Sequence, residues 1–262
     1  MNEKLILLSK GKLNKVSRQL FEGMIHNGQE KGWPFFVGDP EIWKFSDSLL
    51  QREGTVLDLG IGAGRASMFF ALHGMQVRGI ERVGNPYAQH LTKIAKAYRL
   101  AISVDFTDFN EADFGSNRYD VVMMGQLFVH FAEKQEAFAV LDRAIDATKR
   151  GGYLWLRTSG QEDDNFKSFK EAASFDPEVQ ISEEAYWDWC GCSGQPELEP
   201  HLYLKPTELL AQVLSKGMRV AHSEVMPKIG LKNIMYGEDD LAIHPMEPAQ
   251  KSGMITVLAQ KA

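Results

Sequence analysis

The stretch TVLDLGIGAGRASMFFALHG, residues 55–74, decides the fold of this chain. Its apolar start, TVLDL, predicts a short buried strand, and RASMFFALH predicts a helix directly after the glycines. Glycine carries no Cβ and opens backbone dihedrals that are closed to other residues, so a ligand can lie directly on Gly60, Gly62 and Gly64. The positive end of the following helix points at the same place. The stretch therefore predicts a ligand site at the carboxyl edge of a parallel sheet.

The spacing of these glycines narrows the choice of ligand. A dinucleotide-binding loop has the pattern G-x-G-x-x-G, but Arg65 takes the place of its third glycine. The Lys-Ser or Lys-Thr pair of a phosphate-binding P-loop is also missing. Asp58, two residues before the first glycine, would repel a phosphate, whereas its carboxylate suits an ammonium or sulfonium cation. An NAD-dependent oxidoreductase and a plain strand–helix turn without a ligand are the alternatives.

Strands and helices alternate along most of the remaining chain. The apolar patterns predict further strands at 75–81, 101–106, 119–125, 153–158, 218–226 and 253–261, and further helices at 41–52, 85–100, 133–147 and 206–216. This order predicts a parallel sheet with helices on both faces. We expect one domain, with an N-terminal helical cap (1–52), a cofactor-binding core (53–158), an irregular insertion or lid on the substrate side (159–205) and a C-terminal helix with two strands (206–262).

Composition excludes several classes of partner. The net charge of −6 argues against general binding to nucleic acid, which requires basic clusters. No apolar run approaches the ~20 residues of a membrane span, and MNEKLILLSKGK at the start lacks a signal-peptide cleavage site. Two cysteines exclude a disulfide scaffold and favour a reducing, cytoplasmic location. We expect a small-molecule partner and a monomer or homodimer.

Acidic residues follow the predicted strands at the same edge of the sheet. Glu81 ends the second strand, 23 residues after Asp58, where a carboxylate can accept hydrogen bonds from ribose hydroxyls. The alternative is a surface ion pair with Arg78 or Arg82. Asp108, followed by Phe109 after the third strand, suits the amine and the ring face of an adenine, but it could also be a turn former or helix cap.

Five segments in order resemble the motifs of the class I S-adenosylmethionine-dependent methyltransferases. They are VLDLGIGAGRAS, GIER, DFNEADF, YDVVMMGQLF and TKRGGYLWL. The loop GxGRxS before FFALHG, the stretch FTDFNEADF and the short C-terminal part resemble the tellurite-resistance (TehB-like) type. The resemblance covers about residues 53–158, plus the final helix and two strands. It implies an α/β, Rossmann-like three-layer sandwich with a seven-stranded, mostly parallel sheet whose last strand is antiparallel.

The resemblance also implies S-adenosyl-L-methionine as cofactor and S-adenosyl-L-homocysteine as product. It assigns the cofactor-binding positions to a glycine loop for the methionine side (Asp58, Gly60, Gly62 and Gly64), a ribose-binding strand end (Glu81 and Arg82), an adenine-binding pair (Asp108 and Phe109) and the end of the fourth strand (Gln126). The insertion is longer than in compact tellurite-resistance proteins, so the substrate is not carried over.

Methyl transfer from a sulfonium is an in-line displacement, in which the protein mainly positions the reactants and excludes water. A base is required only if the nucleophile loses a proton. His130 and Arg157 are the catalytic candidates, and the alternative for His130 is a packing or helix-start residue. The acceptor candidates are aromatic or polar residues of the cap, the strand ends and the insertion: Trp33, Phe35, Phe36, Phe128, Thr158, Tyr186, Trp187 and Trp189.

Residues 161–200 hold eleven acidic and two basic residues together with several aromatic ones. Carboxylates with aromatic faces favour a cationic or amine substrate. The alternative is a solvated acidic surface over a small satellite core. Cys190 and Cys192 would supply only half of a tetrahedral set, so we expect no metal site. The leading hypothesis is methyl transfer to an amine nitrogen of a small molecule, and the alternatives are a thiol or metalloid oxyanion acceptor or a non-catalytic binding module.

Overall fold

A computed structural model describes residues 45–50, 53–190, 197–227 and 253–262 of the chain. Most of the predicted N-terminal cap lies outside the described residues, and so do Trp33, Phe35, Phe36 and Cys192. Of the helix predicted at 41–52, only residues 45–50 are described, and Ser46–Leu49 within them is helical.

Helices and strands alternate through the described residues. The strands are β1 (Thr55–Leu59), β2 (Gln76–Glu81), β3 (Ile102–Phe106), β4 (Tyr119–Gly125), β5 (Thr148–Ser159), β6 (Ala185–Cys190), β7 (Glu197–Leu202), β8 (Met218–Pro227) and β9 (Gly253–Lys261). The helices are α1 (Ser46–Leu49), α2 (Arg65–Leu72), α3 (Pro86–Tyr98), α4 (Lys134–Ala147), α5 (Asp164–Phe175) and α6 (Pro206–Ser215). Two 3₁₀ turns cover Phe128–His130 and Pro177–Val179.

Seven strands form one sheet in the order β3-β2-β1-β4-β5-β9-β8. Neighbours from β3 to β5 pair in parallel, and β9 lies antiparallel between β5 and β8. The predicted fold class, a mostly parallel seven-stranded sheet with an antiparallel last strand, is therefore confirmed. The chain order reverses between β1 and β4, which is where open α/β sheets bind their ligands.

Alternate residues of the central strands enter two separate cores. Leu57 and Leu59 of β1 pack on one face of the sheet with α4 and α6, whereas Val56 packs on the other face with α2 and α3. Successive side chains of a strand point to opposite faces, so a strand covered on both sides must be apolar almost throughout. This explains why TVLDL and YDVVMMG have no simple polar alternation, and it gives three layers.

Local signals set the start of α3 as predicted. Asn85 precedes the helix, and its side chain accepts hydrogen bonds from the backbone N–H groups of Tyr87 (2.9 Å) and Ala88 (3.3 Å). Pro86 occupies the first helical position, where its missing N–H and its fixed φ have no cost. This start directs the chain away from the sheet edge directly after Glu81.

The insertion is not the irregular stretch that the sequence suggested. It contains α5, whose first turn is capped by Asp163, and an antiparallel hairpin formed by β6 and β7. A buried aromatic cluster of Phe166, Tyr186 and Tyr203 joins the two. Tyr186 is buried and its neighbour Trp187 is exposed, as expected for successive side chains of a strand, and pairing with β7 stabilises this strand.

No helix in the described part of the chain combines the length and apolar character that a membrane span requires.

Two glycines with positive φ allow the packing around α2 to be tested. Gly64 has φ +71°, and a Cβ there would collide with Leu91 of α3. Gly74 has φ +86°, but no described heavy atom lies within 4 Å of a Cβ at that position. We expect Gly74→Ala to cost about 1 kcal/mol through backbone strain alone, and Gly64→Ala to cost about 2 kcal/mol more through overpacking. Urea unfolding of both variants measures the difference, and equal losses would contradict it.

Candidate functional site

The glycine loop and the end of β2 are joined by a buried carboxylate. Glu81 is 6% exposed, and its Oε2 accepts a hydrogen bond from the Gly62 backbone N–H at 2.8 Å. Its Oε1 accepts from the backbone N–H of Arg82 at 3.0 Å. The alternative of a surface ion pair does not hold, because the guanidinium groups of Arg78 and Arg82 go to other acids, Asp105 and Glu199.

Asp58 lies beneath the loop and is 4% exposed. The Ser67 hydroxyl, in the first turns of α2, donates a hydrogen bond of 2.6 Å to its Oδ2. Burial raises the pKa of Asp58 from 3.8 to about 7, the Ser67 hydrogen bond opposes this rise, and the nearby Glu81 carboxylate adds to it. The site therefore holds a carboxyl group whose charge changes near neutral pH.

The loop after β3 brings Asp108 and Phe109 to the same edge. Asp108 is exposed, and its Oδ1 accepts a hydrogen bond of 2.8 Å from the Asn110 backbone N–H, which is the turn-forming role that the sequence left open. Phe109 is partly buried against the core. The backbone N–H of Thr107 donates to the Glu81 carbonyl at 2.9 Å and so fixes this loop beside the end of β2.

Gln126 follows β4 with φ +62°. Its backbone N–H donates to the carbonyl of Arg157 at 2.8 Å, and its side chain donates to the sulfur of Met254 on β9. The ends of β4, β5 and β9 are thus held together next to the glycine loop. Arg157 and Thr158, near the end of β5, are 7% and 0% exposed.

Glu199 of β7 links the insertion to this edge, and the sequence did not single it out. It is 8% exposed. Its Oε1 lies 2.7 Å from the guanidinium of Arg82, and its Oε2 lies 2.9 Å from Nδ1 of His130. Partial burial lowers the pKa of His130, and Glu199 opposes that change. The only available signal was the alternation in ELEPHL, which puts Glu199 on one face of a strand.

Comparison with known proteins identifies the family of this chain. Residues 47–190, more than half of the chain, match the family described as tellurite resistance protein TehB. The chain belongs to the TehB family. No curated protein sequence is similar enough to this chain to count as a match. The family predicted from the sequence motifs is therefore confirmed.

Solved structures share the fold of this TehB-family chain. An S-adenosylmethionine-dependent methyltransferase from Methanosarcina mazei matches 86% of this chain and 99% of its own, at 17% identity and a TM-score of 0.63. TehB from Haemophilus influenzae matches 88% and 65%, at 16% identity and a TM-score of 0.58. A Burkholderia thailandensis 1,6-didemethyltoxoflavin-N1-methyltransferase, solved with S-adenosylhomocysteine, matches 80% and 72%, at 14% identity and a TM-score of 0.51.

The family and these structural neighbours are S-adenosylmethionine-dependent methyltransferases. The predicted enzyme class and cofactor are confirmed at that level. The residues of this chain fit such a cofactor, since Gly60 and Gly62 are partly exposed and have no side chain, and the carboxylate of Glu81 lies beside Gly62.

The acceptor candidates of this TehB-family chain fall in different environments. Phe128 and Tyr186 are each 1% exposed, and Tyr186 stacks on Phe169 within the aromatic cluster at a ring distance of 5.7 Å. This is the satellite core that the sequence left open. Trp187 is 42% exposed on the hairpin, where the backbone of Trp189 pairs with Leu198.

Within the described residues, no group of three or more His, Cys, Asp or Glu side chains is arranged to hold a metal ion.

The raised pKa of Asp58 predicts a pH-dependent stability. Below about pH 7 the carboxyl is protonated in the folded chain, whereas in the unfolded chain it ionises above its ordinary value of 3.8. Between these two pKa values folding takes up a proton, so the free energy of unfolding of the wild type falls as the pH rises. Asp58→Asn keeps an oxygen for Ser67 and removes the charge. We expect the variant to gain on the order of 3 kcal/mol over the wild type between about pH 4 and pH 7.

Urea unfolding of the wild type and of Asp58→Asn across this range measures the difference, and other titrating groups cancel between the two proteins. The gain should level off above about pH 8. A difference in unfolding free energy that does not change with pH would contradict the raised pKa.

Proposed function

We propose that this chain transfers the methyl group of S-adenosylmethionine to an amine nitrogen of a small molecule in the cytoplasm. The observation that carries the proposal is the Glu81 carboxylate, which lies 2.8 Å from the Gly62 backbone N–H. The insertion would serve as the substrate lid of a single methyltransferase domain. S-adenosylmethionine, when bound, supplies a methyl group on a positively charged sulfur.

The proposed cofactor side consists of residues from four strand ends: Asp58, Gly60, Gly62, Gly64, Glu81, Arg82, Asp108, Phe109 and Gln126. A carboxylate can accept about four hydrogen bonds, and Glu81 uses two of these for Gly62 and Arg82. Its remaining lone pairs suit a pair of ribose hydroxyls. Arg82 would act indirectly, because its backbone N–H holds the Glu81 carboxylate and its guanidinium pairs with Glu199.

The charge of the site supports a cationic substrate. Asp58 and Glu81 lie close enough for their charges to interact, and the donors that hold them are uncharged: the Ser67 hydroxyl for Asp58, and backbone N–H groups for Glu81. The acid-rich insertion contacts the neighbouring strand ends through Glu199 of β7, which pairs with Arg82 after β2 and His130 after β4. Carboxylates lower the energy of a cation and raise that of an anion in the same cleft. An amine carried as an ammonium ion fits this field better than a metalloid oxyanion.

Rate acceleration would come mainly from position. In-line displacement requires the acceptor nitrogen, the methyl carbon and the sulfur to lie on one line, and holding two reactants so is worth several kcal/mol of barrier. A backbone hydrogen bond between Gln126 and Arg157 joins the ends of β4 and β5, and these joined strand ends would hold the reactants in line. The hairpin would exclude water from above.

A metalloid oxyanion is the second candidate, because the family is described by tellurite resistance. The buried Arg157 at the end of β5 is the cation that could face such an anion. Two further alternatives are a thiol acceptor and a non-catalytic binding module. Measuring turnover with different acceptor classes distinguishes them from the amine and oxyanion acceptors.

Glu81→Gln tests the cofactor side. The variant keeps one carbonyl oxygen but loses the charge that strengthens hydrogen bonds to ribose hydroxyls. We expect the dissociation constants of S-adenosylmethionine and S-adenosylhomocysteine, measured by isothermal titration, to rise roughly 10- to 100-fold. Glu136→Gln, an exposed acid on α4, should leave both unchanged. Equal affinity in Glu81→Gln, or no heat from the wild type at millimolar ligand, would end the cofactor assignment.

The acceptor class is tested by turnover. The wild type is incubated with S-adenosylmethionine and, in separate reactions, primary amines, secondary amines, thiols and tellurite, and the release of S-adenosylhomocysteine is measured by mass spectrometry. We expect amines to be methylated at least tenfold faster than the remaining classes. Faster turnover of tellurite or thiols would replace the amine assignment, and cofactor binding without any turnover would favour the binding module.

A further inference from the structure

Glu199 is a buried acid from the insertion with two partners on the cofactor edge, the guanidinium of Arg82 and the imidazole of His130. The pairing with Arg82 spans 117 residues of sequence, and the pairing with His130 spans 69. Arg82 follows Glu81 directly, and His130 ends the 3₁₀ turn after β4. One carboxylate therefore connects the ribose side of the proposed site with the side where an acceptor would lie.

The bond to Glu199 fixes the state of the His130 ring. With Nδ1 at 2.9 Å from a carboxylate oxygen, the proton of the neutral imidazole resides on Nδ1 and the lone pair on Nε2. Nε2 makes no hydrogen bond with any described residue, and it is not among the buried atoms of the described residues that lack a partner. About a third of the side chain is exposed. Nε2 is thus open to a ligand.

An amine acceptor creates a need for such a group. In an acidic cleft the amine arrives as an ammonium ion, which has no lone pair and cannot attack the methyl carbon. A base near the end of β4 would have to remove one proton before transfer. We propose that His130 is this base and that Glu199 is the positioning residue that holds its Nε2 towards the acceptor, an inference that rests on the proposed function.

The step balances within the site. The ammonium proton moves to Nε2 of His130, which becomes an imidazolium ion beside the Glu199 carboxylate. The freed nitrogen lone pair attacks the methyl carbon, a C–N bond forms, the C–S bond breaks, and its electron pair stays on sulfur. The products are the methylated ammonium ion and the uncharged thioether, and His130 returns its proton to water.

The charged groups around His130 come from three elements. Glu199 of β7 and Glu81 at the end of β2 stabilise the imidazolium, while Arg82 after β2 opposes it. Burial also favours the neutral ring, so His130 is deprotonated at neutral pH, as a base must be. Glu199→Gln can still accept from Nδ1, but it removes the charge that stabilises the imidazolium.

The first measurement uses the full-length protein without an acceptor. Long-range ¹H–¹⁵N NMR of the histidine rings, with His130 assigned by its loss in His130→Asn, reports the tautomer and the titration of the ring. We expect the Nδ1–H tautomer in the wild type and a lower midpoint of titration in Glu199→Gln. An Nε2–H tautomer in the wild type, or an unchanged midpoint in Glu199→Gln, would overturn the positioning role.

The second measurement follows kcat against pH with the best amine of the panel. We expect kcat in the wild type to rise with pH through one midpoint and then reach a plateau, and the plateau to fall about 100-fold in His130→Asn and about 10-fold or more in Glu199→Gln. The KM for S-adenosylmethionine should change less than about twofold in both variants, since a base acts in the chemical step.

Glu184→Gln is the matched control. It removes another insertion carboxylate that pairs with the core, at 2.6 Å from Lys134, and should leave the kcat profile unchanged. Equal losses in Glu184→Gln and Glu199→Gln would show loosening of the insertion and overturn the base. Wild-type turnover of an amine with unchanged kcat in His130→Asn would also overturn it and leave the proposed function intact. An absence of amine turnover, with the cofactor bound, would instead remove the proposed acceptor class.

Discussion

A carboxylate buried at the end of a strand requires hydrogen-bond donors, and Glu81 finds them in the backbone N–H groups of Gly62 and Arg82. The bond to Gly62, together with the bonds from the backbone N–H groups of Gly60 and Ile61 to the Ile80 carbonyl, holds the glycine loop against β2. Asp58, near the end of the neighbouring strand β1, accepts a hydrogen bond from Ser67 and lies close enough to Glu81 for their charges to interact. The edge therefore combines partly exposed glycines with two neighbouring carboxyl groups, and ionised carboxylates attract a cation and repel phosphates.

The second acid makes this edge sensitive to protonation. Burial favours the neutral form of Asp58, and the Glu81 carboxylate adds to that preference. A cation placed between the two would reverse it, because an opposite charge stabilises the ionised form. Binding of a sulfonium or ammonium group would thus release a proton from Asp58. A positively charged ligand would therefore relieve the repulsion between the two neighbouring carboxyl groups, and this favours a cation at the site.

Features formed by residues close together in the sequence could be predicted from it, whereas features formed by residues far apart in the sequence could not. The strand TVLDL, the loop glycines and the Asn85 cap are local patterns, and all lie where the sequence predicted them. The hairpin within the insertion was missed, because its two short strands are stabilised by pairing and by the aromatic cluster rather than by their own composition. Glu199 could not be singled out among eleven acids, since both of its partners are remote in sequence.

Two ion pairs fasten the hairpin of the insertion to the core. Lys134 at the start of α4 pairs with Glu184 before β6, and Arg82 pairs with Glu199 in β7. Ion pairs at a partly exposed surface contribute little to stability, so their value lies in fixing direction. The hairpin is held in one orientation beside the ends of β4 and β5, whereas the glycine loop is held by Ile80 and Glu81 of β2. Under the proposed function, changes in hairpin residues other than Glu199 would alter the acceptor side, while the glycine loop keeps its own bonds to β2.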